Sequence, residues 1–330
     1  MICIGERFCK YAAVLLLVLL SAACSANTGN TEYHHIAVIA SGESRLVKLD
    51  GLRDGLIQRG YDLVADISLT LYDAGNEGDR VAELITQALA DEPDVLVTLG
   101  GIETQTARSL VDDTPIVFIG VADTLAWGVV ESIQAPGTGI TGIDNGYIEL
   151  TGKRLEWTQR LLPEADHITV LYSEGIVPSE AARSAAQRTA DLLDMNVSAF
   201  AINAVPHSES LLAALVELDT DALVILPSYL IENAFMDIVA AAQQADLPTI
   251  GLNTDATAQG AFASYGASFY DMGYQAARLV DKVLRGIPPE SIPVEFPDQP
   301  ELSVNLQTAA ALNLHLSVEL LALVQEVIRS

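Results

Sequence analysis

The sequence predicts an α/β fold of two doubly wound parallel-sheet lobes joined by a multi-strand hinge, and three observations support this. Continuous apolar runs at 95–99 and 116–121 are short enough for strands that are buried on both faces. Glycine and polar residues that can open a helix follow each run, as at Gly100-Gly101. After Asp144 the alternation of strand and helix starts again. The chain of 330 residues is therefore long enough for two such sheets.

The first lobe begins with an apolar strand at 35–40, which ends in Ser41-Gly42. Leucines at 46, 49, 52 and 56 then recur at helical spacing as far as Gly60, a residue type that commonly ends helices. A strand region at 61–72, a helix at 78–90 and the two apolar runs complete at least four βα units. The segment 136–144 has three glycines and no helical pattern, so we interpret it as the chain leaving this lobe.

The second lobe repeats this order. The predicted strands lie at 167–172, 197–202, 222–227, 248–252, 262–268 and 302–305, and the predicted helices at 148–162, 179–193, 208–218, 231–245 and 271–285, with two short helices at the end. Ser179 is expected to cap its helix, with Glu180 in the first turn. We expect residues 34–143 and 261–290 to form lobe 1, and residues 144–260 and 291–330 to form lobe 2.

The N-terminal residues have the pattern of a secretory signal. Arg7 and Lys10 precede an uncharged run at 11–23 that ends in LSAAC. Small residues before a cysteine are typical of lipoprotein processing, so we predict a signal peptide over 1–23 and lipidation of Cys24. Residues 24–33, small and polar, would tether the folded part to the membrane on its extracytoplasmic side.

Composition excludes several classes of function. A formal net charge of −27 makes nucleic acid a poor partner. Only three cysteines occur, at 3, 9 and 24, and processing would consume the last, so no thiol chemistry is expected. The histidines at 34, 35, 167, 207 and 315 lack metal-ligand spacing, and the sequence holds no P-loop and no G-x-S-x-G motif. We therefore expect no enzyme, no catalytic residues, no metal and no cofactor.

Polar and aromatic residues cluster where the predicted strands end, which is where open α/β sheets bind ligands. Two facing lobes would enclose a small molecule between them. From lobe 1 we expect Ser41, Glu43, Ser44, Thr98, Gly100, Gly101, Glu103, Val121, Asp123 and Trp127 to face this cleft. From lobe 2 we expect Tyr172, Ser173, Glu174, Ser228, Tyr229, Asn253 and Asp255, with Tyr265 near the hinge.

The chemistry of these residues distinguishes ligand classes. An anionic group would bind at the start of the helix after Gly100, where backbone amides are free. A cationic amine would bind Asp123 or Asp255, and a ring would pack on Trp127, Tyr172 or Tyr229. Structural roles remain open for several of them, because Ser41 and Asp255 are also good helix caps and Trp127 lies in an apolar run that suits a core.

Four segments resemble the substrate-binding lipoproteins of ABC importers, a family that includes tryptophan and tyrosine binders. They are residues 114–142, with TPIVFIGVADTLAWG; 152–173, with GKRLEWTQRLLPEADHITVLYS; 265–295, with YGASFYDMGYQAARLVDKVLRG; and 304–314, VNLQTAAALNL. The resemblance covers nearly the whole chain after Cys24. It implies the type I periplasmic-binding-protein fold, closure of two lobes on a small molecule, and docking of a monomer to an ABC permease.

Departures from the family pattern fall at the loops that face the cleft. This chain has Gly100-Gly101 where the family usually has Gly-Thr, and Asp123-Thr124 in place of Asp-Pro. It has Ser228-Tyr229 in place of Asp-Asn and Ser173 in place of Asn, whereas Asp255 matches the family. Our first hypothesis is a lipid-anchored binding protein for a small, amino-acid-like solute. The alternative is a lipoprotein sensor or regulator that uses the same fold to bind a receptor, a sensor kinase or a cell-wall enzyme.

Overall fold

A computed structural model of the protein describes residues 33–75, 77–204 and 208–329. The predicted signal peptide over 1–23, Cys24 and nearly all of the tether lie outside the described residues. Within the described ranges, no helix combines the length and the apolar character needed to cross a bilayer.

The first lobe is built on a five-stranded parallel sheet with the strand order β2-β1-β3-β4-β5. Its strands are β1 (His34–Ala40), β2 (Ile67–Asp73), β3 (Val95–Thr98), β4 (Ile116–Val121) and β5 (Ile140–Asp144). Its first three helices are α1 (Leu46–Gln58), α2 (Val81–Ala90) and α3 (Gly101–Leu110). The predicted order of elements is confirmed as far as β4, but residues 122–139 form turns, and the helix of the expected fourth βα unit is missing. Strands β3 and β4 are fully buried, as their continuous apolar runs require.

Strand β5 corrects the interpretation of residues 136–144 as a simple exit from the lobe. Residues 140–144 pair in parallel with β4 before the chain leaves. Gly142 permits this pairing, because a Cβ at that position would lie 2.2 Å from the carbonyl oxygen of Phe118. Glycine weakens a strand pattern in a sequence, and here it marks a close backbone approach.

The second lobe is built on a seven-stranded sheet with the order β12-β11-β10-β9-β8-β6-β7. Its strands are β6 (His167–Tyr172), β7 (Asn196–Ala201), β8 (Ala222–Ile225), β9 (Thr249–Gly251), β10 (Ala263–Gly266), β11 (Glu301–Asn305) and β12 (Glu326–Ile328). Its helices are α4 (Thr151–Leu161), α5 (Val177–Leu193), α6 (Ser208–Val216), α7 (Tyr229–Asn233), α8 (Phe235–Gln244), α9 (Asp255–Ala258), α11 (Leu306–Ala311) and α12 (Val318–Leu321). Among the strands of the described residues, the β10–β11 pair alone is antiparallel.

One long helix, α10 (Phe269–Leu284), returns to the first lobe and packs on α1. Glycines make the contact close: a Cβ at Gly51 would lie 2.0 Å from the carbonyl oxygen of Tyr270, and one at Gly273 would lie 1.9 Å from that of Lys48. Both helices bury their apolar stripes against one face of the first sheet, while α2 covers the other face. Helices on both faces make the sheet doubly wound.

The lobe boundaries differ from the predicted ones at two places. Residues 291–295 were expected in lobe 2, but Ile292 and Val294 pack in the core of the first lobe. Residues 261–290 were expected in lobe 1, but β10 pairs with β9 and β11 in the second sheet. The chain therefore crosses to the first lobe only between Gly266 and Phe269. The other two crossings follow Asp144 and Glu295, and Glu295 still pairs with Ile143 at the edge of the first sheet.

Three local predictions were also wrong. The helix expected at 231–245 is divided into α7 and α8. Helix α5 begins at Val177, so Ser179 lies inside its first turn, where its hydroxyl accepts a hydrogen bond from the backbone N–H of Ser173 instead of capping the helix. The short edge strand β12 was not predicted, because three half-buried residues carry too little pattern.

Candidate functional site: a cleft between the two sheets

The site lies where the strand order reverses in both sheets. In the first sheet β1 and β3 are neighbours, and in the second β6 and β8 are neighbours, so the loops after these four strands leave their sheets in opposite directions. Such switch points open a crevice at the carboxyl ends of strands. The loops after β1 and β3 lie on one side of the cleft and those after β6 and β8 on the other.

A buried arginine, Arg45, organises the first-lobe side. It ends the 3-10 turn Glu43–Arg45 between β1 and α1, and its Nη1 donates to Glu103 Oε1 at 3.2 Å and to Ser41 Oγ at 2.9 Å. Glu103 is completely buried at the start of α3 and also accepts a 2.7 Å hydrogen bond from the backbone N–H of Ser41. Because Gly100 has no Cβ, the guanidinium can approach; a Cβ there would lie 2.8 Å from Nη1.

The same guanidinium reaches across the cleft. Its Nη2 donates to Glu232 Oε2 at 2.8 Å, and Glu232 belongs to α7 in the second lobe. Burial disfavours the charged form of Arg45, but Glu103 and Glu232 outweigh this effect and raise its pKa. Arg45 is therefore charged at any physiological pH, and it forms an ion pair within its own lobe and a second one between the lobes.

A second buried cation, Lys48, lies beneath this cluster. Its Nζ donates to the carbonyl oxygen of Leu99 at 2.7 Å and to that of Ile119 at 3.2 Å, at the ends of β3 and β4. The ammonium also lies 4.5 Å from the centroid of the Phe269 ring. Desolvation, followed by repulsion from Arg45, lowers the pKa of Lys48 to about 8. Lys48 therefore links β3 to β4 through two backbone carbonyl oxygens, and the desolvation of its ammonium opposes folding.

An aromatic wall closes one side. The Trp127 ring packs against Gly101 so closely that a Cβ at Gly101 would lie 2.1 Å from the ring carbon Cζ3. Tyr229, at the start of α7, lines the same cavity from the second lobe. This cavity has a volume of about 110 Å³, and its lining comprises Arg45, Gly100, Gly101, Ile102, Gly120, Ala122, Trp127, Asn145, Ile176, Pro178, Pro227, Ser228, Tyr229 and Glu232.

A smaller cavity of about 30 Å³ adjoins the hinge side. It is lined by Ser44, Ile225, Glu232, Phe235, Leu252, Asn253, Ala256, Gln259 and Phe269. Glu232 lines both cavities. Among the described residues that line the two cavities, Glu232 is the single acidic residue and Arg45 is the single basic one.

Seven predicted residues line these cavities: Ser44, Gly100, Gly101, Trp127, Ser228, Tyr229 and Asn253. Ser41 lies directly behind them, as a partner of Arg45 and Glu103. Gly42, and not Ser41, stands at the N-cap of the following turn, so the expected capping role of Ser41 is replaced by one in this ion-pair cluster.

Three other predicted residues hold the loops in place. Thr98 Oγ1 hydrogen bonds to Thr104 Oγ1 at 2.8 Å. Ser173 is buried, and its hydroxyl donates to the carbonyl oxygen of Ile202. The Ser173 hydroxyl also lies 2.7 Å from the Ser228 hydroxyl, and this hydrogen bond joins the loops after β6 and β8. Asp255 accepts a 2.8 Å hydrogen bond from the backbone N–H of Phe269, the first residue of α10, across the second crossing, while Ser268 is the N-cap of that helix.

Four others point elsewhere. Glu43 is exposed. The Asp123 carboxylate accepts a hydrogen bond from the N–H of Ala126 in its own loop. The Tyr172 ring stacks under Arg183 of α5, and the Tyr265 ring packs beside Trp157 in the second-lobe core. A strand end places a residue near the cleft, but the alternation of side chains along the strand decides which face it points to.

The hinge holds a further buried arginine that the sequence analysis missed. Arg154 of α4 donates to the backbone carbonyl oxygens of Tyr265 at 2.8 Å, Tyr147 at 2.8 Å and Leu252 at 3.0 Å. Desolvation lowers its pKa to about 10. It ties the first crossing to the ends of β9 and β10. Next to it, Tyr147 Oη accepts a hydrogen bond from Asn253.

One signal in the sequence could have revealed the missed cations. Lys48 precedes Leu49 and Leu52 on the apolar stripe of α1, and Arg45 lies one turn before Leu49. A cation on a buried stripe must find acceptors inside the protein. Arg154 carries no comparable signal, because its helix α4 is polar on several sides, and Glu232 carries none, because α7 is only five residues long and shows no stripe.

Comparison with known proteins identifies the family. The family model described as ABC transporter substrate binding protein matches residues 35–328. The chain belongs to this family. Among curated relatives, a tyrosine-binding protein of Clostridioides difficile is 25% identical over 315 residues, which cover 92% of this chain and 90% of the relative.

Solved structures agree with the fold of this substrate-binding protein. A conserved domain protein from Vibrio cholerae superposes with a TM-score of 0.82 at 24% identity, covering 90% of this chain and all of that one. An ABC domain from Streptococcus pneumoniae, solved in complex with L-Trp, gives 0.78 at 21% identity over 89% of this chain and all of the other. The type I periplasmic-binding-protein fold is thus confirmed, and substrate-binding proteins of this family are not enzymes.

Proposed function

We propose that the protein captures a small, amino-acid-like solute in the cleft between its lobes and delivers it to the permease of an ABC importer. One observation carries the proposal: the switch points of both sheets meet across a single cleft that contains the Trp127 and Tyr229 rings and a charged pair. Rings supply apolar contact area, and a few fixed polar groups supply orientation, which is what small-molecule sites combine.

Capture would proceed by closure of the lobes. Arg45 is fixed to the first lobe by Glu103, whereas its partner Glu232 moves with the second lobe, so opening must break the Arg45–Glu232 contact of 2.8 Å. The three crossings would absorb the rotation, as hinges of a few residues do in other two-domain proteins. Arg154 would keep the second-lobe side of that hinge rigid, since it binds three of its carbonyl groups.

Family membership supports an amino-acid-like solute, as do the ligands of two similar proteins, the tyrosine-binding protein and the ABC domain solved with L-Trp. The ABC transporter family also places such proteins outside the cytoplasm, where an importer collects its solute. We further propose that Cys24 carries the lipid that holds this monomer at the membrane. Metabolic labelling with a fatty acid would test this: the label should enter the wild-type protein and be absent from Cys24→Ser.

A thermal-shift screen of the purified protein against L-amino acids, their derivatives, nucleosides and small sugars tests the binding function. A ligand at about a hundred times its Kd should stabilise the protein by about 2.7 kcal/mol, which moves Tm by a few degrees in a protein of this size. An amino-acid hit supports the proposal. A panel without any hit would refute it and favour the sensor or regulator, whose partner would be another protein.

A further inference from the structure

The charges around the cleft are unequal. Arg45 is the single cation in the lining of the larger cavity and it faces two carboxylates, Glu103 and Glu232. The three groups together carry one net negative charge. Lys48 does not offset it from within the cavity, because its Nζ is buried and donates to two backbone carbonyl oxygens. An anionic ligand would find no uncommitted cation here, whereas a cationic one would compensate the excess charge.

That excess resides on Glu232. Glu103 has no exposed surface, and its carboxylate accepts hydrogen bonds from Ser41 and Arg45. The Glu232 side chain is 24% exposed and lines both cavities. Its Oε2 accepts from Arg45, while its Oε1 has no donor among the described residues. A carboxylate offers about four acceptor positions, so Glu232 retains capacity for a donor from the ligand.

The two acidic residues that the sequence predicts for an amine, Asp255 and Asp123, lie outside the cavity linings. One oxygen of Asp255 accepts the N–H of Phe269, and one oxygen of Asp123 accepts the N–H of Ala126. The sequence predicts an amine site at Asp123 or Asp255, whereas the structure favours Glu232, which was not among the predicted residues.

We propose that Glu232 determines the specificity of the cleft by binding a protonated amine of the ligand. This inference rests on the proposed function. The amine would lie against Glu232 Oε1, and the apolar or ring-shaped body would lie between Trp127 and Tyr229, which line the same cavity. Arg45 acts as a positioning residue, because its contact with Oε2 fixes the orientation of the Glu232 carboxylate.

Matched probes test the inference by isothermal titration calorimetry at pH 7. One set is L-tyrosine, tyramine and 3-(4-hydroxyphenyl)propionate; a second is L-tryptophan, tryptamine and indole-3-propionate. Within each set the second compound lacks the carboxylate and the third lacks the amine. Each is titrated into the wild-type protein and into Glu232→Gln, which keeps the shape of the side chain and leaves the Arg45–Glu103 pair intact. Glu43→Gln serves as the control, because Glu43 is acidic, nearby and exposed.

We expect compounds with an amine to bind the wild-type protein at least about tenfold more tightly than their partner without one. Glu232→Gln should remove that preference by weakening only the amines, whereas a merely structural role would weaken all compounds alike. Glu43→Gln should change nothing. Should Glu232→Gln fail to fold, Glu232→Asp, which keeps the charge and shortens the side chain, replaces it and should likewise weaken only the compounds with an amine. Equal affinity of the wild-type protein for compounds with and without an amine would overturn this inference but not the proposed function. The same would follow if Glu232→Gln kept the preference for amines. Failure of every probe to bind the wild-type protein overturns this inference, whereas the proposed function fails only if the broad thermal-shift panel also gives no hit.

Discussion

Replacing Lys48 by methionine should change how the stability of the protein depends on pH. Lys48 is buried under the cleft, and desolvation, with repulsion from Arg45 as the next cause, lowers its pKa from 10.5 to about 8. Methionine has a similar length and no charge. The comparison of the two proteins across pH therefore isolates the titration of a single buried ammonium.

The magnitude follows from the two pKa values. Between pH 8 and 10.5 the unfolded chain binds more protons at this position than the folded chain, so stability rises with pH across that window. The complete shift corresponds to about 3 kcal/mol, which Lys48 subtracts from the free energy of unfolding at neutral pH. Between about pH 8 and pH 9.5 the wild-type protein should recover about 1–2 kcal/mol relative to Lys48→Met.

Urea unfolding at several pH values between these limits measures the difference. Other groups titrate in the same range, but they are present in both proteins and cancel. Lys282→Met is a matched control, because the Lys282 side chain is 41% exposed. The free energy of unfolding of Lys282→Met should depend on pH in the same way as that of the wild-type protein. Parallel curves for the wild-type protein and Lys48→Met would refute the reasoning, since Lys48 would then titrate alike in the folded and unfolded chains.

Three further substitutions test the architecture of the site. Arg154→Met leaves three hinge carbonyls without their donor and should destabilise the protein by about 2–4 kcal/mol in urea unfolding; an unchanged midpoint would contradict the role of this residue in the hinge. Gly101→Ala places a methyl group in the Trp127 ring, so tryptophan fluorescence should shift and about 1–3 kcal/mol of stability should be lost, whereas an identical spectrum would show that the wall is loose. Ser173→Ala removes the hydroxyl that joins two loops through Ser228 and should cost about 1 kcal/mol while ligand affinity stays unchanged; weaker binding at equal stability would place it in contact with the ligand.

The fold was largely predictable because its signals are local. Apolar runs at 95–99 and 116–121 are buried on both sides in any parallel sheet, and each is followed by glycine or polar residues within a few positions. The same reasoning located both sides of the cleft, since ligands bind beyond the strand ends. It missed β5, where glycine and threonine break the apolar pattern, and it assigned β10 to the wrong lobe, because pairing with β11 is not visible along the chain.

The site residues were decided by the tertiary structure. Local sequence placed Gly100, Gly101, Trp127 and Tyr229 at the cleft, because they follow strand ends directly. The charged pair could not be found in that way: Arg45 and Glu232 lie 187 positions apart, and they meet only when two separate sheets bring their switch points together. Asp255 looked like a ligand residue for the same local reason, yet the return of α10 to the first lobe engages its carboxylate with the first N–H of that helix. Short-range pattern determines which residues reach the cleft, and long-range packing determines which of them remain free to bind.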